Sequence, residues 1–76
     1  MTAIVYSLKN CVQCVATKRA LGAAGVPYEE VDLATDEAAA EHMRELGHRQ
    51  APVVVTPEGE HWSGFQPDRI AALVAA

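Results

Sequence analysis

The chain is 76 residues long with a mass of 8.1 kDa, which is room for one small domain and no second one. Half of its residues are hydrophobic and 21% are charged with both signs present, so a compact fold is expected, although 14 of the apolar residues are Ala and add little core volume. Ten acidic residues against six Lys and Arg give a net charge of -4, which excludes a nucleic-acid partner held through its phosphates.

The segment from Thr2 to Tyr6 is continuously apolar after Thr2 and rich in β-branched residues, as expected for a central strand covered on both faces. A polar loop from Ser7 to Asn10 follows, and then Cys14, Thr17, Leu21 and Ala24 recur at helical spacing, predicting a helix from about Val12 to Ala24 that stops at Gly25. Tyr28 to Leu33 reads as a short strand. Thr35 is placed to cap a second helix, with Asp36 and Glu37 in its first turn, where carboxylates suit the helix dipole. That helix has Ala39, Met43 and Leu46 as its apolar line and ends at Gly47. Val53 to Val55 is a buried strand, residues 57–60 form a turn, and His61 to Ser63 form a brief last strand. Pro67 opens a final helix with Ile70, Leu73 and Val74 directed inward. The order βαβαββα has an economical solution in an α/β thioredoxin fold: a four-stranded mixed sheet flanked by three helices, forming a single domain over residues 1–76.

The strongest chemical signal is Cys11-Val12-Gln13-Cys14, a C-x-x-C at the junction of the first strand and the first helix. One helical turn brings the two Cα atoms to roughly 5–6 Å, inside the window a disulfide requires. Cys11 lies where unpaired helix N–H groups stabilise an anion, with Lys9 adding positive charge nearby, so it is the attacking thiolate. Cys14, a turn deeper and shielded, suits the second step of resolving a mixed disulfide. Two other readings compete. Zinc would need four ligands, and His42, His48 and His61 fall on different elements without paired spacing. An inert buried pair is the other, disfavoured by the position at a helix start. Pro52, opening a strand, marks an edge, a first position or a cis turn. Taken alone, Trp62 reads as core filler and His61 as an exposed strand residue.

Taken together, the C-V-Q-C segment, Ala51-Pro52-Val53-Val54 and Trp62-Ser63-Gly64-Phe65-Gln66-Pro67-Asp68-Arg69-Ile70 closely resemble the NrdH-redoxins, glutaredoxin-like electron donors of class Ib ribonucleotide reductase. The resemblance covers essentially the whole chain, and the W-S-G-F-x-P-D segment is its specific part. It implies a thioredoxin fold, a cis bond before Pro52, Cys11 as nucleophile and Cys14 as resolving thiol. It also implies no bound cofactor beyond the redox-active Cys11–Cys14 disulfide, with NADPH used indirectly through thioredoxin reductase. Partner contacts would come from Lys9, Val12, Gln13, Ala51, Pro52, Trp62, Ser63, Gly64 and Phe65, with Val12, Pro52, Trp62 and Phe65 framing an exposed apolar platform. His61, Gln66 and Asp68 would form a supporting network. Gln66 departs from the family, in which Arg is common, and this puts hydrogen bonding among His61, Trp62 and Gln66 in doubt.

The expected partners are thioredoxin reductase and the large subunit of class Ib ribonucleotide reductase, with the protein itself a monomer. Glutaredoxins proper usually carry C-P-Y-C and a Gly-Gly pair followed by an acidic residue that holds glutathione. Here Gly64 is followed by Phe65, which should hinder a tripeptide on that edge. A general glutathione-dependent glutaredoxin is the alternative reading, and a carrier sharing an iron–sulfur cluster between two chains through Cys11 is a further one. No apolar run approaches the roughly 18 residues of a membrane span, and the opening MTAIVYSLKN lacks a basic start before a long apolar stretch, so a cytoplasmic, membrane-free location is expected.

Overall fold

A computed structural model describes residues 2–74. Seven elements follow in the expected order: β1 (Ala3–Ser7), α1 (Val12–Ala23), β2 (Tyr28–Asp32), α2 (Glu37–Glu45), β3 (Val53–Val55), β4 (His61–Ser63) and α3 (Pro67–Ala72). They build one four-stranded mixed sheet in the order β2-β1-β3-β4. β1 runs parallel to β2, pairing Ala3 with Tyr28, and antiparallel to β3, which in turn pairs antiparallel with β4. This is the thioredoxin fold, with β1 in the interior of the sheet.

Register decides which side chains meet. Val5 lies opposite Val54, and Val54 opposite Trp62, so the three form one row across the sheet on a single face. Leu21 from α1 and Ile70 from α3 close over this row, and all five residues are at most 4% exposed. Removing a side chain such as Leu21 from water contributes about 2 kcal/mol to folding. Tyr6, Val53 and Ser63 form the neighbouring row on the opposite face, where Met43 of α2 is buried. That second cover is thinner: on β1, Ala3, Val5 and Ser7 are buried, whereas Ile4 and Tyr6 are half-buried. The uninterrupted apolar run of β1 therefore meets one complete cover and one partial cover.

α1 ends in a paired turn in which Val26 donates to the Leu21 carbonyl at 2.9 Å and Gly25 to that of Gly22 at 3.1 Å. Gly25 holds φ at 74°, a value that glycine adopts without the steric penalty of a Cβ.

Three expectations need correction. The cap of α2 is Asp36, whose carboxylate accepts from the Ala39 N–H at 3.0 Å, and not Thr35, whose hydroxyl turns back to the Asp32 carbonyl. The carboxylate of Asp32 organises this turn by accepting from the Ala34 N–H, and the helix start is thereby set one residue later. Val74 is 52% exposed and not inward, because α3 stops at Ala72 and the chain leaves the helical path before Val74 can follow Ile70. Leu46 is likewise on the outer margin of the core.

Candidate active site

β1 delivers the chain to the sheet's end, and Asn10, with φ at 58°, turns it sharply into α1. Asn is among the few residues that tolerate this left-handed conformation. Cys11 is then the N-cap of α1: its backbone is extended, its carbonyl accepts from Val15, and its Sγ accepts from the Cys14 N–H at 3.0 Å. Sulfur thus takes the role that a Ser or Asp oxygen ordinarily plays at a helix start. The same N–H groups and dipole that reward an acceptor there favour a thiolate over a thiol.

The partner thiol is differently placed. Cys14 is 1% exposed, Cys11 is half-buried, and the two are joined as a disulfide with their Cα atoms 5.1 Å apart. Only Cys11 offers its sulfur to a large partner. The Cys11 Sγ lies 3.9 Å from the carbonyl oxygen of Ala51, and the Ala51–Pro52 peptide is cis. Pro52 accepts from the Gly64 N–H at 2.8 Å, and the Phe65 N–H donates to the Gln13 side chain at 3.3 Å. The first turn of α1, the start of β3 and the loop after β4 are thereby tied around one sulfur.

Beside the cysteines runs an open groove of about 810 Å3, lined by Ser7, Lys9, Cys14 and Lys18 among others. Glu30 at its far side accepts from Lys18 at 2.8 Å and from the Ser7 hydroxyl at 2.6 Å. These two hydrogen bonds, Lys18 first, hold the Glu30 carboxyl below its ordinary value against a small opposing effect of burial. On the opposite face, His48 Nε2 and His61 Nδ1 are 2.7 Å apart. Burial, with His61 beside it, holds the His48 imidazole below its ordinary value.

The residues singled out in the sequence do not all converge. Val12 is 84% and Phe65 39% exposed, and Leu8 and Val15 extend this apolar rim. Pro52 and Trp62 are buried, so the exposed platform lacks both. Trp62 belongs to the core, with the Arg69 guanidinium 5.6 Å from its ring centroid and no hydrogen-bond acceptor for its Nε1 among the described residues. His61, Gln66 and Asp68 do not form one network: His61 meets His48, while Gln66 donates to the Ser63 carbonyl at 2.9 Å and accepts from Arg69 at 3.1 Å. Asp68 sits exposed in the first turn of α3, where a carboxylate suits the dipole. Among the described residues no group of three or more His, Cys, Asp and Glu could hold a metal ion.

Sequence reasoning passed over Lys18 and Glu30, weighed His48 only as a zinc ligand, and met Arg69 only as part of the resembling segment. Lys18 was accessible as the residue one turn beyond Cys14 on the same helix face. Glu30 required the register of β2 against β1, which no local pattern encodes.

Comparison with known proteins agrees with this geometry. The Glutaredoxin family profile matches residues 3–62. The glutaredoxin-like protein NrdH of Salmonella typhimurium is 44% identical over 96% of this chain and 89% of its own, and that of Escherichia coli is 42% identical over the same shares. The solved structure of the Escherichia coli NrdH-redoxin, whose activity profile is described as thioredoxin-like, superposes with a TM-score of 0.92 over 100% of this chain and 99% of that one. A disulfide-forming C-x-x-C capping the first helix of a thioredoxin fold, in a chain this similar to those proteins, makes this a thiol–disulfide oxidoreductase that belongs to the NrdH-redoxins of the glutaredoxin family.

Proposed function

We infer that the protein passes electrons from NADPH, through thioredoxin reductase, to a disulfide near the C-terminus of the large subunit of class Ib ribonucleotide reductase. The observation that carries this reading is the asymmetry of the cysteine pair: Cys11 caps the helix and is accessible, and Cys14 is covered. In the reduced protein the Cys11 thiolate attacks one sulfur of the partner disulfide. A mixed disulfide forms, the partner's own S–S bond breaks, and the departing partner sulfur takes up a proton. Cys14, having given up its proton, then attacks Cys11 Sγ. The mixed disulfide breaks, the second partner thiol is released, and Cys11 and Cys14 are left oxidised. Two electrons and two protons have moved to the partner, and thioredoxin reductase returns them.

An extended peptide suits the surroundings of Cys11. Among the described residues, neither the N–H nor the carbonyl of Ala51 has a backbone hydrogen-bond partner, and both are free to pair with an incoming strand. Val12 and Phe65 supply apolar area beside it. Phe65, directly after Gly64, should also hinder a tripeptide along that edge, which favours a protein reductant over glutathione. Such a role belongs in a reducing compartment, the cytoplasm, where the pair is regenerated after each turnover.

NADPH oxidation with a protein disulfide substrate separates the sources of electrons. Turnover is expected with thioredoxin reductase and not with glutathione plus glutathione reductase, and the reverse pattern would make this a glutathione-dependent glutaredoxin. Cys14→Ser should trap the partner as a mixed disulfide at Cys11, which a non-reducing gel with the reductase subunit displays directly.

A further inference from the structure

The molecule carries ten acidic residues against six Lys and Arg, yet one surface reverses that balance. On the α2 side of the sheet lies a depression of about 580 Å3 with Leu33, Met43 and Val53 at its floor and Arg44, Arg49 and Gln50 along it. Among the described residues that line it there is no carboxylate. Arg44 and Arg49 are exposed, and neither forms an ion pair among the described residues, where the paired cations are Lys18 with Glu30 and His42 with Glu45. Two unpaired guanidiniums over an apolar floor, on a protein of net negative charge, are complementary to an acidic and partly apolar segment.

The depression is continuous with the redox site. Ala51, whose carbonyl oxygen is 3.9 Å from Cys11 Sγ, forms part of its wall, and Leu8 lines both this depression and the groove beside the cysteines. The backbone between its two arginines is also held in place. At the end of α2, His48 donates to the Met43 carbonyl and Gly47 to that of Arg44, both at 3.0 Å, and the His48 ring is in turn bonded to His61 of β4. The backbone that carries the arginines is thereby fixed, and the ordering left to binding is that of their side chains.

We propose that this depression is a docking subsite for the disulfide partner, receiving an extended segment that carries a carboxylate roughly two to four residues from the attacked cysteine. The spacing follows from the chain itself. Arg49 is two positions from Ala51, an extended strand rises about 3.3 Å per residue, and an arginine side chain adds roughly two further residues of reach. The subsite rests on the reading of Cys11 and Cys14 as the centre of exchange with protein disulfides, and it adds a charge preference to that reaction.

The test uses the pre-reduced full chain and three cyclic peptide disulfides that are identical except for Asp, Asn or Lys at one position, moved from two to four residues from the cysteine. Single-turnover rate constants are read by acid quench and thiol alkylation, so no reductase is needed. At low ionic strength the wild-type protein should reduce the Asp peptide about threefold to tenfold faster than the Lys peptide at the best position, and added salt should narrow the ratio. Arg44→Gln with Arg49→Gln should bring the ratio close to one, and Arg44→Glu with Arg49→Glu should invert it. A wild-type ratio of one at all positions, or a ratio that survives in both double variants, would overturn the subsite. Failure of the wild-type protein to reduce even the Asn peptide would overturn the exchange reading itself, a result distinguishable from the loss of a charge preference.

Discussion

Thr17 is fully buried on the inward stripe of α1, three residues beyond Cys14, and its hydroxyl has no hydrogen-bond partner among the described residues. In the unfolded chain that hydroxyl is hydrated, so folding strips its water and returns nothing. The cost of such a group is about 1–3 kcal/mol. Thr17→Val exchanges the hydroxyl for a methyl of similar size, keeps the branch at Cβ, and changes helix propensity very little. Exchanging Thr for Val in a core usually fails because the hydroxyl is bonded; here that objection is absent. The variant should gain about 1–2 kcal/mol, and at the scale of a 60–100-residue domain this raises Tm by about 5–10 °C. Urea unfolding of the oxidised protein, followed by far-ultraviolet circular dichroism, should show a higher midpoint with an unchanged slope. Thr17→Ser is the control: it keeps the unpaired hydroxyl, loses a buried methyl, and should cost about 1 kcal/mol. If Thr17→Val were instead destabilised by 1 kcal/mol or more, the hydroxyl would have to be bonded in solution and the reasoning would fail.

Three further outcomes are expected. Cys11→Ser retains a good helix cap while Cys11→Ala does not, so both should lose disulfide reduction, but only the Ala variant should unfold more readily than the reduced wild type, by about 1 kcal/mol in urea. Asp36→Ala should cost a similar amount by removing the cap of α2, whereas Thr35→Ala should be close to neutral; equal effects from the two would contradict the Asp36 assignment. Glu30 has a folded-state pKa held below its unfolded one, so its contribution is present above the ordinary carboxylate range and is lost as pH falls through the lowered folded value. Glu30→Gln should therefore lose about 0.5 kcal/mol at pH 7, the scale of a partly exposed ion pair, and approach the wild type in stability near pH 3.

All seven elements and their order were legible in the sequence because each carried its own local signal. The valine run at 53–55 marked a buried strand, Gly25 and Gly47 marked helix ends, and Pro67 marked a helix start. The misplaced cap of α2 shows where local signals compete: Thr35, Asp36 and Asp32 can all accept from a backbone N–H, and the turn that Asp32 organises decides between them. The cysteine pair was legible because a C-x-x-C at a strand-to-helix junction leaves its first sulfur little other position. The surroundings were less so. Trp62 taken alone reads as core, and only the resemblance moves it to an exposed platform; the meeting of Glu30 with Lys18 follows from the register of β2, a long-range fact that no window of sequence contains. The arginines at 44 and 49 carry no local signal, and it is the fold that places them around one depression without a carboxylate.

The two halves of the redox pair owe their difference to a single geometric fact. A helix start leaves N–H groups that need acceptors, and the residue at that start is by construction outside the helix and near solvent. A cysteine there is both exposed and favoured as an anion. The residue three positions later is on the first full turn, and on α1 that position belongs to the inward stripe shared with Thr17 and Leu21. A cysteine there is buried, and can reach only the sulfur already beside it. Nucleophile and resolving thiol are therefore distinguished before any neighbouring charge acts. Lys9, Lys18 and Glu30 can tune the chemistry of the pair but need not create its direction. Direction comes from the phase of the helix against the sheet, which the core fixes through Leu21 and Ile70. A substitution that rotated α1 against the sheet would consequently disturb the order of the two steps even with both cysteines intact.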